Sequence, residues 1–183
     1  MAGIFTTKYK ACFPANAEDV FVETGTYRGN SLIRALNYGF KELHTIEVSQ
    51  HRFDELERLH PELCDDSRIH RYLGSSRDCL ASIVPKFKDR NVVFWLDAHY
   101  VGLAADERDS ISECPILSEL QAIADVNWSK SVVVCIDDLN MFRGGANRDV
   151  FTFSDWPQES QMREIMQAWN TSNDDDNMLC FYR

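Results

Sequence analysis

Val20-Phe21-Val22-Glu23-Thr24-Gly25-Thr26-Tyr27-Arg28-Gly29-Asn30-Ser31 is the stretch that decides how the chain is read. It opens as a short apolar run that ends in an acid. Two glycines four positions apart follow, then Leu32-Ile33-Arg34-Ala35-Leu36, which is helix-forming and amphipathic. Strand, glycine turn, helix is a unit that holds nucleotide-like ligands. Glycine admits backbone angles that other residues resist and lets the chain approach a ligand closely. The start of the helix then presents free N–H groups. The competing reading is an ordinary tight strand-to-helix turn in an α/β protein.

Outward from this turn, strand and helix alternate. The spacing predicts a helix from Asn30 to Tyr38 with Gly39 as its stop, and a strand over Leu43–Val48. A helix from Gln50 to His60 follows, with Pro61 after its end. Ile69–Leu73 reads as a third strand, and Gly74-Ser75-Ser76 as a turn with a serine cap. Leu80, Ile83 and Val84 mark the next helix, ended by Pro85. Val92–Asp97 and Ser131–Asp137 are continuous apolar runs, as expected of strands covered on both faces. Pro115 opens a helix carrying Leu117, Leu120 and Ile123. Pro157 to Asn170 reads as the last helix, Asp174-Asp175-Asp176 as a solvated turn and Met178 to Tyr182 as a final strand. Phe5, Tyr9 and Phe13 fit a further helix near the start. At least five alternations predict a doubly wound, mostly parallel α/β sheet. Ligands of such sheets sit at the carboxyl ends of the strands. The residues there are Glu23, Glu47, Gly74, Asp97 and Asp137, four of them acids.

At 183 residues the chain is expected to form one domain over residues 1–183. A net charge of -10 argues against nucleic acid or an anionic membrane as the main partner. No apolar stretch approaches the length of a spanning helix, and the first residues lack a basic segment followed by an apolar core. The six cysteines form no C-x-x-C pair and read as reduced thiols, which places the protein in the cytoplasm.

The glycine spacing narrows the ligand. A dinucleotide fingerprint needs a second glycine where Tyr27 stands, so that backbone can touch a pyrophosphate; NAD and FAD are therefore disfavoured. The pattern Glu23-x-Gly25-x-x-x-Gly29-x-Ser31 resembles instead the first motif of the class I S-adenosylmethionine-dependent methyltransferases. The resemblance covers Val20 to Asn140 well and the remainder loosely. It implies a Rossmann-like methyltransferase fold with S-adenosylmethionine held by Glu23, Gly25, Thr26, Gly29, Ser31, Glu47, Gly74, Ser75 and Asp97. Glu47, a little over twenty residues beyond the turn, suits the two ribose hydroxyls. The family's sheet usually finishes with two further strands, the last antiparallel. Only one is legible here after the final helix, so an edge strand is expected to be missing, supplied by a segment such as Val150–Phe153, or covered by a second copy of the chain in a homo-oligomer.

Trp95-Leu96-Asp97-Ala98-His99-Tyr100 and Ile136-Asp137-Asp138-Leu139-Asn140 carry the remaining chemistry. Neighbouring strands would bring Asp97, Asp137 and Asp138 together. Adjacent carboxylates repel unless a cation or proton separates them, and a hard cation such as magnesium would do so. Here the chain resembles the metal-dependent O-methyltransferases, of the macrocin-like or catechol-like type. The resemblance implies a small hydroxylated substrate such as a sugar and Mg2+ on Asp97, Asp137 and Asp138; His99, beside Asp97, is the candidate catalytic base because imidazole titrates near neutral pH. Val101–Glu113 and the loop Arg143–Arg148 are candidate substrate-binding segments, and Phe151, Phe153 and Trp156 candidate pocket walls. Two rival readings remain. One is an S-adenosylmethionine-binding domain without turnover. The other is a metal-dependent hydrolase or oxygenase using Asp97, His99, Asp137 and Asp138.

Overall fold

The computed structural model describes residues 19–100, 112–143, 156–174 and 177–183. The expectations for Phe5, Tyr9 and Phe13, for residues 101–111 and 144–150, and for Phe151 and Phe153 lie outside the described residues.

The order of elements follows the alternation read from the sequence. β1 (Val20–Thr24) leads through the glycine turn into α1 (Asn30–Tyr38), and β2 (Glu42–Glu47) into α2 (Gln50–Leu59). Pro61 does more than stop α2: it opens a one-turn helix, α3 (Pro61–Cys64), ahead of β3 (Ile69–Leu73). α4 (Ser76–Ile83) runs into a 3₁₀ turn (Val84–Phe87) and then β4 (Val92–Leu96). α5 (Ile116–Ala124), β5 (Val132–Ile136) and the short α6 (Leu139–Phe142) follow, then α7 (Glu159–Ile165), β6 (Asn170–Asp174) and β7 (Met178–Tyr182).

The strands form one seven-stranded sheet in the order β3-β2-β1-β4-β5-β7-β6. β3, β2, β1, β4 and β5 run parallel, and β7 is antiparallel to both β5 and β6. The fold is thus the doubly wound α/β architecture that the sequence predicts. Its edge corrects one expectation. The sequence predicts a helix to Asn170 and a single strand after it; α7 ends at Ile165, and Asn170–Asp174 is a strand. That segment, Asn-Thr-Ser-Asn-Asp, has no apolar alternation. It is an edge strand held by backbone pairing with the apolar β7, register Asn170 opposite Tyr182, so side-chain patterning could not reveal it.

Every residue of β1, β4 and β5 is buried, because helices cover both faces of the sheet. On one face Leu80, Ile83, Leu120, Ile123 and Met162 pack against Val22, Phe94 and Val134. On the other, Leu32, Ala35, Leu56 and Leu63 pack against Phe21, Leu43 and Trp95. Cys135 is a small core residue. Among the described residues no helix is long and apolar enough to cross a membrane. The parallel register sets Thr24 beside Ile46 and Leu96, Leu96 beside Ile136, and Glu47 beside Leu73. Gly25, Glu47, Gly74, Asp97 and Asp137 therefore share one edge of the sheet.

Candidate functional site

The glycine turn is built by close approach. The Gly25 N–H donates to the Ile46 carbonyl at 2.9 Å, which draws the turn against β2. Its φ is +82°, and a Cβ there would lie 2.8 Å from the Asp97 carbonyl carbon and closer still to its oxygen. Only glycine lets the end of β1 press this closely on the end of β4. Gly29, at φ +73°, does the same for the start of α1: a Cβ would lie 2.5 Å from a Leu56 methyl on α2. Between them Tyr27 is itself left-handed at φ 47°, an uncommon conformation for a non-glycine residue, of the kind found at ligand sites.

Glu47 fixes that conformation. One carboxylate oxygen, Oε2, accepts the Tyr27 N–H at 3.0 Å, and the other accepts the Ser49 N–H at 2.9 Å. Ser49 in turn caps α2, its hydroxyl accepting the Arg52 N–H at 3.2 Å. The Tyr27 ring lies under two guanidiniums, Arg52 at 4.6 Å and Arg28 at 5.3 Å from its centroid. Tyr27 and Arg52 both line the cavity described below.

Glu23 behaves differently. It is fully buried, and its oxygens accept from the hydroxyls of Ser31 and Thr45, the latter at 2.7 Å. Thr45 also shares a hydrogen bond with Thr26. Burial pushes the Glu23 carboxyl up to about 8, although both hydroxyl bonds pull the other way. The acid that ends the first strand is thus a neutral brace under the turn, tying β1, β2 and α1 together.

Asp97, His99 and Asp138 form the opposite flank. His99 Nε2 lies 3.2 Å from Asp138 Oδ2 and 3.6 Å from Asp97 Oδ1. The imidazole packs edge-on against Trp156 and Phe142, with centroids 4.9 and 6.3 Å away, and those two rings pack on each other at 5.0 Å. Burial would hold His99 low, but the bond to Asp138 and the charges of Asp97 and Asp138 outweigh it and raise its pKa. Burial pushes Asp97 up to about 7, with His99 pulling it down and Asp137 and Asp138 pushing it further. The bond from His99 holds Asp138 below the usual carboxylate value. Asp138 is left-handed at φ 54°; its N–H donates to Asp137 Oδ1 at 2.9 Å, and the Asn177 amide reaches its other oxygen at 3.3 Å.

These parts face a cavity of about 310 Å³, at the lower end of the range for small-molecule sites. Gly25, Glu47, Gly74, Asp97, His99 and Asp138 line it. Glu23, Thr26, Gly29, Ser31, Ser75 and Asp137 are not among the described residues that do. Glu23, Thr26 and Ser31 belong to the hydrogen-bonded brace, and Gly29 to helix packing. Ser75 stands at the start of α4, where its side chain makes no capping bond; the cavity-lining serine is Ser76. The candidate metal group is also rearranged: the ligand atoms of Asp97, His99 and Asp138 lie within 4.8 Å of one another, and Asp137 is not part of that group.

Arg52 and Glu119 are two residues that sequence reasoning missed. Arg52 lines the cavity, yet it sits in a polar context that reads as surface. Glu119 is the other. It lies in the apolar run of α5, is 1% exposed and has an oxygen, Oε1, with no hydrogen-bond partner among the described residues. Burial pushes its carboxyl up to about 7 against bonds from Ser76 and Thr24. A charge between Leu117 and Leu120 was the available signal.

No protein-family model matches the chain, and no curated protein matches it in sequence. Solved structures do match. An S-adenosylhomocysteine-bound methyltransferase from Podospora anserina superposes with a TM-score of 0.59 at 12% identity, over 90% of this chain and 70% of that one. The O-methyltransferase TomG from Streptomyces achromogenes, in complex with S-adenosylmethionine and involved in tomaymycin synthesis, gives 0.57 at 14% identity, over 89% and 71%. A fibrillarin pre-rRNA processing protein from Methanococcus jannaschii gives 0.54 at 12% identity, over 93% and 67%. The chain shares the Rossmann-like α/β fold of these structures.

Proposed function

We propose that the protein is an S-adenosylmethionine-dependent O-methyltransferase acting on a hydroxyl of a small molecule such as a sugar. The observation that carries this reading is a cavity flanked by a backbone-anchored carboxylate, Glu47, and by the Asp97–His99–Asp138 cluster. S-adenosylmethionine supplies a methyl group activated by a positively charged sulfonium, and a lining that carries Glu47, Asp97 and Asp138 suits a cation. The same lining disfavours a pyrophosphate: the one arginine among the described lining residues, Arg52, is engaged with the Tyr27 ring and with Glu55. Each Glu47 oxygen accepts a backbone N–H, which fixes the carboxylate at the cavity wall, and a carboxylate is the kind of group that accepts from ribose hydroxyls.

His99 is the group that takes the proton from the acceptor hydroxyl. Imidazole titrates near neutrality, the aromatic packing fixes the ring, and Asp138 stabilises the imidazolium that forms. Methyl transfer from radiolabelled S-adenosylmethionine to a panel of sugars and phenols tests the reading. Calorimetric titration with S-adenosylhomocysteine comes first, and absence of any heat of binding ends the case. Heat without transfer would favour a binding domain that lacks turnover.

A second reading adds magnesium, and the convergence of Asp97 and Asp138 favours it. Their oxygens fit a hard cation; the nitrogen of His99 between them does not. Magnesium, when bound, lowers the pKa of a coordinated hydroxyl. Transfer abolished by EDTA and restored by magnesium selects this version. Chelator-sensitive activity that survives without S-adenosylmethionine would instead select a metal-dependent hydrolase or oxygenase.

A further inference from the structure

A second histidine cluster lies at the other end of the sheet. Glu42 opens β2 and Glu47 ends it, so at about 3.3 Å per residue the two carboxylates are separated by roughly 16 Å along the strand. His44 is two residues beyond Glu42 and therefore on the same face. In the parallel register His44 stands directly beside His70 of β3, and the two rings stack with centroids 4.6 Å apart. His44 Nε2 lies 2.9 Å from Glu42 Oε1. One ligand atom from each of Glu42, His44 and His70 falls within 4.8 Å of the others.

We propose that Glu42, His44 and His70 form a binding site for a divalent transition metal of the zinc type, separate from the cavity. Two imidazoles and one carboxylate are the donor set such ions prefer, with a fourth position left to water. Metal–ligand bonds of 2.0–2.2 Å place tetrahedral ligand atoms about 3.3 Å apart, so the Glu42–His44 pair is already near the required spacing. His70 is exposed and closes the remaining gap by a side-chain rotation.

The surroundings supply what a metal-bound histidine needs on its far side. His44 Nδ1 lies 3.0 Å from the Tyr72 hydroxyl. A phenol both donates and accepts, so Tyr72 accepts the Nδ1 proton once Nε2 gives its lone pair to a metal. Phe87 packs on the His44 ring at 4.7 Å. The Arg90 guanidinium binds Glu42 Oε2, which holds the carboxylate in place and leaves Oε1 turned toward the histidines. Arg90 also sets a positive charge next to the site, so the affinity falls short of that of a closed structural zinc centre. A metal here would tie β3 to β2 and stay clear of the chemistry.

The test is calorimetric titration of the chelator-stripped full chain with zinc chloride, using the wild type, His70→Asn and Asp138→Asn. His70 is exposed and outside the cavity, so His70→Asn should keep the fold and bind S-adenosylhomocysteine as the wild type does. Loss of a ligand should weaken zinc binding about a hundredfold, at the upper end of what loss of an outer-shell partner costs. Zinc should raise Tm in the wild type and in Asp138→Asn but not in His70→Asn. That combination supports the site. No zinc binding at all, equal binding by the wild type and His70→Asn, or binding lost only in Asp138→Asn would overturn it.

Discussion

The two flanks of the cavity use acids in opposite ways. On the β1–β2 flank both carboxylates are committed to the polypeptide: Glu23 is fully buried among hydroxyls, and Glu47 receives two backbone N–H groups. On the β4–β5 flank the Asp97 and Asp138 side chains are 36% and 46% exposed around a histidine that is 5% exposed. Burial leaves Glu23 neutral up to about 8, whereas the His99 bond keeps Asp138 an anion. The contrast shows that strand-end position does not assign a role. Surroundings do, as when environment sends two carboxylates to different tasks. One flank is a rigid seat, and the other keeps charge and proton-exchanging groups open to a ligand.

The sharpest break between the flanks should come from His99→Gln. Loss of a general base costs typically 10²–10⁴-fold in rate, so methyl transfer should fall by about that factor while S-adenosylhomocysteine affinity stays within about twofold. Radiometric kinetics beside calorimetry reads both. A variant that lost cofactor binding and rate together would put His99 on the seat and erase the distinction.

Gly25→Ala attacks the seat itself. The new Cβ meets the Asp97 backbone at a φ of +82°, and left-handed strain plus overpacking add to about 2–5 kcal/mol of lost stability. Urea denaturation should show that loss. Glu47→Gln is milder. Hydrogen bonds to a charged group contribute about 1.5–3 kcal/mol, so cofactor affinity should fall roughly ten- to hundredfold, with little change in the rate at saturation. If Glu47→Gln binds the cofactor normally, the carboxylate serves only the Tyr27 turn.

Much of the seat was legible in the sequence. Val20–Glu23 followed by Gly25 and Gly29 fixes a strand, a turn and a helix start through local rules, and the apolar runs at Val92 and Val132 announce strands covered on both faces. What stayed hidden depends on contacts between distant residues. Nothing in the sequence says that Glu23 meets Thr45 and Ser31 instead of a ligand, or that His99 takes the place beside Asp138 expected of Asp137. Polar residues carry the least pattern. The strand Asn170–Asp174 exists through backbone pairing, and Arg52 reaches the cavity only because α2 packs where Gly29 admits it.

Glu23→Gln should have no effect near pH 5 and is the finest test of the seat. An unfolded glutamate titrates near 4.3, while Glu23 in the folded chain titrates at about 8. Between those values the native state keeps a proton that the unfolded state has released. The stability that the protonated carboxyl contributes is fully present below the unfolded pKa and is lost as pH rises through about 8. One such group gives a slope of at most about 1.4 kcal/mol per pH unit. Glu119, raised to about 7, adds to the same alkaline decline, and Asp97, 36% exposed, adds less because solvent screens it. A glutamine cannot ionise and can still bond the Ser31 and Thr45 hydroxyls, which donate or accept as required. Glu23→Gln should therefore match the wild type near pH 5 and exceed it near pH 9, with a shallower slope in urea denaturation between them. Parallel curves would mean that Glu23 is ionised in the folded protein, and the neutral brace beneath the turn would have to be replaced by a charged one.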